Sequence, residues 1–263
     1  IIMETLLIIA AALAGLVLLM AYFFSLQKKK PVVLHPFPIG YRKILFEHSE
    51  FYNDLPDESK PRFEQRMQLF LSQVRITGVN TNVEDIDKAL IAASAIIPIF
   101  NFPEWEYVNL REVLLYPDSF SYDFEQKGND RNVLGMVGDG ALNGVMILSQ
   151  HELRQAFINK TGKSNTAIHE FVHLLDKTDG TIDGIPETIL QKQYILPWLQ
   201  LMQQEIKKIM TNQSDINPYG ATNEAEFFAV VSEYFFERPG LLEEKNPELY
   251  KLLSTIFRQQ PAG

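Results

Sequence analysis

The chain contains no cysteine among its 263 residues. Disulfide bonds and thiolate metal ligands are therefore both excluded. Positive charge is also scarce, because 24 Lys and Arg stand against 33 Asp and Glu, giving a net charge of -9. Residues 1–30 hold three Lys and one Glu, so the remainder carries about -11. We therefore expect no nucleic-acid binding, which depends on a basic surface.

One long hydrophobic run lies at the front of the chain. Thr5 to Leu26 contains no charged residue, and its 22 residues would span about 33 Å as a helix, which matches the hydrocarbon core of a bilayer. Lys28-Lys29-Lys30 follow directly, whereas Glu4 is the only charged side chain before the run. This charge distribution predicts a single N-terminal transmembrane helix in the inner (cytoplasmic) membrane, with the rest of the chain in the cytoplasm.

A signal peptide is the alternative interpretation of this run. It would need positive charge before the apolar stretch and a small-residue cleavage site after it. Here the charge follows the run, and Phe23 and Phe24 lie near its end. The predicted organisation is thus a membrane anchor with its basic flank over residues 1–30, a proline-bearing linker over residues 31–38 and one domain over residues 39–263.

Hydrophobic periodicity gives a mixed α+β pattern for this domain. It predicts helices over 61–77, 83–97 and 187–210, and strands over 105–116 and 144–148. Pro197 is expected to break or kink the last of these helices.

The residues His169-Glu170-Phe171-Val172-His173 form an H-E-x-x-H motif. Histidines four apart on a helix lie on the same face, so both can reach one tetrahedral zinc ion. Glu170 would face the open coordination position, where a carboxylate can take a proton from a zinc-bound water. The motif therefore predicts a zinc-dependent peptidase with Glu170 as general base.

The surroundings of the motif favour a buried helix. Ser164, Asn165 and Thr166 precede it, and all three residue types are favourable N-caps. The alternative is an ordinary core helix whose histidines bond to backbone carbonyls. Burying two imidazoles and a carboxylate without a ligand is costly, which disfavours that alternative.

A catalytic zinc ion needs a third protein ligand and an open fourth position. Without cysteine, this ligand must be His, Asp or Glu. The other histidines are His35, His48 and His151, and none of them follows the motif. A carboxylate from a later helix is therefore the natural candidate.

Residues 223–236 supply such a helix, which is too apolar to face solvent. Asn223 is a candidate N-cap, and Glu226 and Glu233 lie seven residues apart on one helix face. From the residues alone, Glu226 fits a ligand or a cap or core ion pair equally well.

Two further residues have open roles. Pro218-Tyr219-Gly220 is typical of a turn, where a tyrosine usually packs or lies on the surface. Asp176 follows His173 by three residues. It could accept the second N–H of that histidine or belong to the loop that ends the helix.

Two blocks, His169 to Asp176 and Tyr219 to Ala229, resemble the Mlc titration factor A family of bacterial zinc peptidases. The second block is also similar to the catalytic domain of anthrax lethal factor. The likeness extends from about Phe37 to Pro239.

This resemblance implies a gluzincin-like zinc metallopeptidase domain. It implies one Zn²⁺ ion held by His169, His173 and Glu226, with Glu170 as general base. It further implies that Tyr219 donates a hydrogen bond or proton at the reaction centre.

The expected partner is a peptide or protein substrate. Val145-Met146-Ile147-Leu148 is the candidate for an edge strand that would hold the substrate backbone beside the active-site helix. The second hypothesis, which the resemblance suggests, is a regulatory binding protein that sequesters a transcriptional repressor, with peptidase activity secondary.

Overall fold

The computed structural model describes residues 36–120, 133–138 and 143–261, together with Gly15, Leu19 and Met20, which are helical. The chain divides into two compact units, 1–33 and 34–263, and the elements given below all belong to the second unit. Apart from those three residues, the expected anchor over 5–26 lies outside the described residues. Among the residues that are described, no helix has the length and apolar character needed to cross a bilayer.

The second unit is mostly helical, with one small sheet. Its described α-helices are α1 Ile39–His48, α2 Glu50–Asp54, α3 Lys60–Gln73, α4 Asp85–Ile99, α5 Gln150–Ile158, α6 Thr166–Asp176, α7 Lys192–Met210, α8 Glu224–Glu237, α9 Pro239–Lys245 and α10 Pro247–Phe257. Its strands are β1 Arg75–Gly78, β2 Glu112–Tyr116, β3 Gly135–Val137 and β4 Val145–Ser149. Short 3-10 helices cover Lys177–Asp179 and Pro218–Ala221. The expected α+β class is confirmed.

The sheet has the strand order β1-β2-β4-β3. β1 and β2 are parallel, as are β2 and β4, whereas β3 runs antiparallel to β4 with Gly135 opposite Leu148. β4 is therefore an interior strand, and the prediction that Val145–Leu148 forms the edge is wrong. Among the described strands, the edge on this side is β3. The error arose because strand order depends on long-range pairing that the local pattern does not contain.

Several helix and strand boundaries in the structure also differ from those that the sequence predicts. The helix expected over 61–77 ends at Gln73, because Arg75–Gly78 pair with β2. The strand expected over 105–116 begins only at Glu112, after a series of turns. The last helix begins at Lys192 and contains Pro197. Sheet pairing and turn formation override the hydrophobic spacing in these segments.

In the core, α6 packs against two buried helices, α4 and α8. α4 is buried almost throughout from Ala89 to Ile99, and it packs against one side of α6. α8 packs against α6 as well, and its residues from Phe227 to Phe236 are all buried. β3 also contacts α6. The helix with the histidine motif is thus fixed from several directions, which gives its side chains defined positions.

Candidate metal centre

The N-terminus of α6 sets the position of both motif histidines. The Asn165 side chain caps the helix by accepting a hydrogen bond from the Ile168 N–H at 3.1 Å, as the sequence predicts. His169 and His173 then lie one turn apart on the same face. Their Nε2 atoms are 3.0 Å apart, and their ring centroids are separated by 4.7 Å.

α8 brings Glu226 to these histidines. Asn223 caps α8 by accepting the Glu226 N–H at 2.9 Å, which confirms the expected cap. The Glu226 carboxylate is turned away from the helix end, with Oε2 at 3.0 Å from His169 Nε2 and 3.5 Å from His173 Nε2. The cap role is therefore taken by Asn223, and the side chain of Glu226 faces the histidines.

The three side chains form a group that could hold a metal ion. The ligand atoms of His169, His173 and Glu226 lie within 4.8 Å of one another. In a tetrahedral zinc site with bonds near 2.05 Å, neighbouring ligand atoms are about 3.3 Å apart. The separations of 3.0 to 3.5 Å match this value, and two imidazoles with one carboxylate are donors that zinc accepts. The residues therefore fit the expected ion.

The electrostatics of the group favour a positive charge at its centre. Burial alone would lower the pKa of His169, but hydrogen bonds to Glu226 and Glu233 outweigh it and raise that pKa to about 10. Burial would raise the pKa of Glu226, yet hydrogen bonds and charge interactions with the two histidines lower it to about 2. A proton or a metal cation at the centre of the group compensates the negative charges of Glu226 and Glu233.

Glu233 is a site residue to which the sequence assigned no role. Its Oε1 lies 2.7 Å from His169 Nδ1, and its Oε2 accepts the backbone N–H of Asn165 at 2.5 Å. Hydrogen bonding to Nδ1 orients the ring and leaves Nε2 for a metal. The seven-residue spacing from Glu226 was the available signal, because it places both acids on one face of α8.

Asn165 links the two helices at this point. Besides capping α6, it donates a side-chain N–H to Glu237 Oε1 at 2.8 Å, one turn beyond Glu233 on α8. Burial raises the pKa of Glu237 to about 7. Asn165 is fully buried, and its hydrogen bonds to Glu233 and Glu237 tie the start of α6 to the carboxylate face of α8.

Glu170 and Tyr219 line one cavity with the three candidate ligands. This cavity has a volume of about 740 Å³, and the residues of β3 form one of its walls. Glu170 is only 6% exposed, and burial raises the pKa of its carboxyl group. Tyr219 lies on the 3-10 helix with half of its surface exposed, and its ring centroid is 6.1 Å from that of His169.

Asp176, the last residue of α6, contacts the loop that follows the helix. Asp176 Oδ2 accepts the Gly184 N–H at 2.8 Å, which is the loop role that the sequence left open. Its Oδ1 and the Nδ1 of His173 are both buried and have no hydrogen-bond partner among the described residues. The alternative contact from Asp176 to His173 is therefore absent from the hydrogen bonds of the described chain. Burial raises the pKa of Asp176 to about 6.

Comparison with known proteins agrees with this geometry. Residues 23–258 match the glucose-regulated metallo-peptidase M90 family. An uncharacterised protein of Synechocystis is 30% identical over 249 residues, which cover 89% of each chain. Mlc titration factor A of Pectobacterium atrosepticum is 28% identical over 222 residues, covering 79% of this chain and 82% of the relative. The same factor of Escherichia fergusonii is 29% identical over 227 residues, covering 80% and 82%.

The family match spans most of the chain, including α6, α8 and the turn with Tyr219. The resemblance identified from the two sequence blocks is confirmed, and the chain belongs to the glucose-regulated metallo-peptidase M90 family.

Proposed function

We propose that this protein is a zinc-dependent peptidase of the gluzincin type. His169, His173 and Glu226 would hold one zinc ion, and Glu170 would act as general base. The observation that carries the proposal is that two imidazoles converge with the carboxylate of Glu226, which is 57 residues from His169 in sequence, beside the buried Glu170. Three protein ligands leave a fourth position open, as catalysis requires.

The chain's own residues supply the acid–base chemistry. When bound, zinc would polarise the substrate carbonyl and lower the pKa of a water molecule in its open position. Glu170 would take the proton from this water as the water oxygen attacks the carbonyl carbon, and would then return it to the leaving amine. The burial that raises the pKa of Glu170 suits a group that must accept a proton and release it again.

Tyr219 would stabilise the oxyanion that develops on the carbonyl oxygen. Its position on the cavity wall near His169 supports this role, because a phenol there can donate to a substrate atom.

The backbone of the substrate would add to β3. Gly135, Met136 and Val137 line the cavity, and among the described strands β3 pairs only with β4. An extended peptide can form main-chain hydrogen bonds with such an edge. This role moves from the strand 145–148, which is interior, to β3.

The decisive variant is Glu170→Gln, with Glu224→Gln as its matched control. Both acids line the cavity, but Glu224 is exposed in the first turn of α8 and, within the described part of the chain, makes no hydrogen bond or ion pair with His169 or His173. We expect Glu170→Gln to retain one zinc ion and to lose at least about 100-fold in the hydrolysis of short chromogenic peptides. Glu224→Gln should stay close to wild type. Activity retained by Glu170→Gln would refute the mechanism.

A second candidate function is regulatory binding. Relatives covering most of the chain are named Mlc titration factor A, which describes proteins that titrate a factor called Mlc. This chain would then sequester a transcriptional repressor, with hydrolysis secondary. Tight repressor binding by Glu170→Gln, together with no peptide cleavage by the wild-type protein, would favour this function over the enzyme.

The cellular location of the protein is proposed from the hydropathy of its N-terminal segment alone. Residues 1–30 would anchor the peptidase domain to the inner membrane, with residues 39–263 in the cytoplasm. Cell fractionation with a protease-accessibility assay tests both parts of this proposal. Recovery of the full-length chain in the soluble fraction would contradict the anchor.

A further inference from the structure

Gly135 lies where β3 passes directly over the first turns of α6. A methyl group in place of its hydrogen would lie 2.8 Å from both Cγ and Oε1 of Glu170. It would also lie 2.7 Å from Cγ2 of Thr166. All three distances are far below the 3.4 Å at which ordinary contact begins, so a larger residue could be placed here only if a neighbour moved.

The requirement for glycine at this position is steric. The positive backbone φ angles of glycines in the described chain are those of Gly144, Gly180 and Gly184, and Gly135 is not among them. Its backbone is that of a regular strand paired with Leu148 of β4. Glycine is therefore not required here for an unusual backbone conformation. It is required because the absence of a side chain lets β3 approach α6 closely.

This close approach has a direct effect on the Glu170 side chain. The backbone of β3 closes one side of the space that the Glu170 carboxylate occupies, and burial leaves little other room for it. A positioned carboxylate must be held to a fraction of an ångström for efficient proton transfer. The absence of a side chain at Gly135 also brings the edge of β3 that lines the cavity next to the Glu170 carboxylate.

We propose that Gly135 is a positioning residue for Glu170, acting by leaving the space in which the carboxylate is held. The inference rests on the proposed function, in which Glu170 is the general base. It differs from that function in assigning a catalytic consequence to a residue with no side chain and no metal contact. If β3 keeps its position in a Gly135→Ala variant, the Glu170 side chain must move by about 0.6 Å to restore ordinary contact.

The test compares Gly135→Ala with two other variants in the full chain. Gly240→Ala is the control, because a methyl group there meets nothing within 4 Å. The double variant Gly135→Ala/Thr166→Ser removes the Thr166 Cγ2 contact but leaves both contacts with Glu170. Zinc content, kcat and KM for a chromogenic peptide are measured for each, and a crystal structure of zinc-loaded Gly135→Ala is determined.

We expect Gly135→Ala to keep one zinc ion and its KM, while kcat falls by about 10- to 100-fold. The double variant should show the same loss, and Gly240→Ala should match wild type. An unchanged kcat would overturn the inference. Loss of zinc, or recovery of kcat in the double variant, would also overturn it, because the effect would then come from packing of α6.

The crystal structure separates this inference from the proposed function. If the wild-type protein hydrolyses no peptide, the enzyme proposal fails, and the position of Glu170 in Gly135→Ala still decides the role of Gly135. A carboxylate displaced by about 0.6 Å or more supports the inference. A carboxylate in the wild-type position contradicts it, whatever the activity.

Discussion

Replacing Glu233 by glutamine tests how the metal centre is held. In the wild type, Glu233 accepts from two donors at once, with Oε1 at 2.7 Å from His169 Nδ1 and Oε2 at 2.5 Å from the Asn165 N–H. A glutamine has one acceptor atom and one donor group in place of these two oxygens. If the amide oxygen faces His169, the amide nitrogen points at the Asn165 N–H, and two donors oppose each other.

The magnitude follows from these contacts. Loss of the negative charge weakens the hydrogen bond to the metal-binding imidazole, and such outer-shell changes typically cost 10- to 100-fold in metal affinity, or about 1.4 to 2.7 kcal/mol. The Asn165 N–H loses its acceptor in a fully buried place, which costs a further 1 to 3 kcal/mol of folding stability, roughly. Zinc affinity and stability should therefore both fall in Glu233→Gln.

The assay is a zinc titration in competition with a chromophoric chelator, with Glu237→Gln as matched control. Glu237 lies one turn further along α8 and accepts a hydrogen bond from Asn165, whereas the hydrogen bonds of His169 to described carboxylates go to Glu226 and Glu233. Since its pKa is raised to about 7, it is partly protonated at neutral pH and glutamine resembles that form. We expect the zinc Kd of Glu237→Gln to stay within about threefold of wild type. An unchanged Kd in Glu233→Gln, or an equal loss in both variants, would refute the reasoning.

Four further outcomes are expected. His173→Ala should lose its zinc in metal analysis, because two protein ligands remain; stoichiometric zinc would contradict its assignment. Tyr219→Phe should lower kcat by about 10- to 1,000-fold with zinc retained, and an unchanged kcat would remove the oxyanion role. In metal-free protein, the ion pairs of His169 should stabilise the fold fully below about pH 6.5, and this contribution should be lost as the pH rises towards the folded pKa of about 10. The free energy of unfolding measured by denaturant titration should therefore fall between about pH 6.5 and 9. A rise over this range would contradict the raised pKa of His169. Gly184→Ala should lower the thermal midpoint, because Gly184 has a φ of +76° and a methyl group there would lie 2.3 Å from Glu224 O; an unchanged midpoint would show that the loop adjusts freely.

The local parts of the site were accessible from the sequence. The histidine motif, the caps at Asn165 and Asn223, and the apolar faces of α6 and α8 are all short-range patterns with a direct physical cause. The turn at Tyr219 was predicted for the same reason. The sequence alone left Glu226 undecided between ligand and cap, and only the packing of α8 on α6 shows which way its carboxylate faces.

The remaining parts depend on contacts between distant segments. The antiparallel pairing of β3 makes β4 an interior strand, which no local pattern around 145–148 reveals. Glu233 contacts a histidine 64 residues away, so its role follows from helix packing. Gly135 is one of 14 glycines in the chain, and its steric role is visible only once β3 lies against α6.

The most direct test of the metal centre is the position of zinc itself. A crystal structure of the purified protein, with anomalous diffraction data collected at the zinc absorption edge, locates the ion independently of activity. We expect a single strong peak within zinc-bonding distance of Nε2 of His169, Nε2 of His173 and a carboxylate oxygen of Glu226. A peak at other residues, or protein loaded with excess zinc that shows no peak between these three side chains, would contradict it.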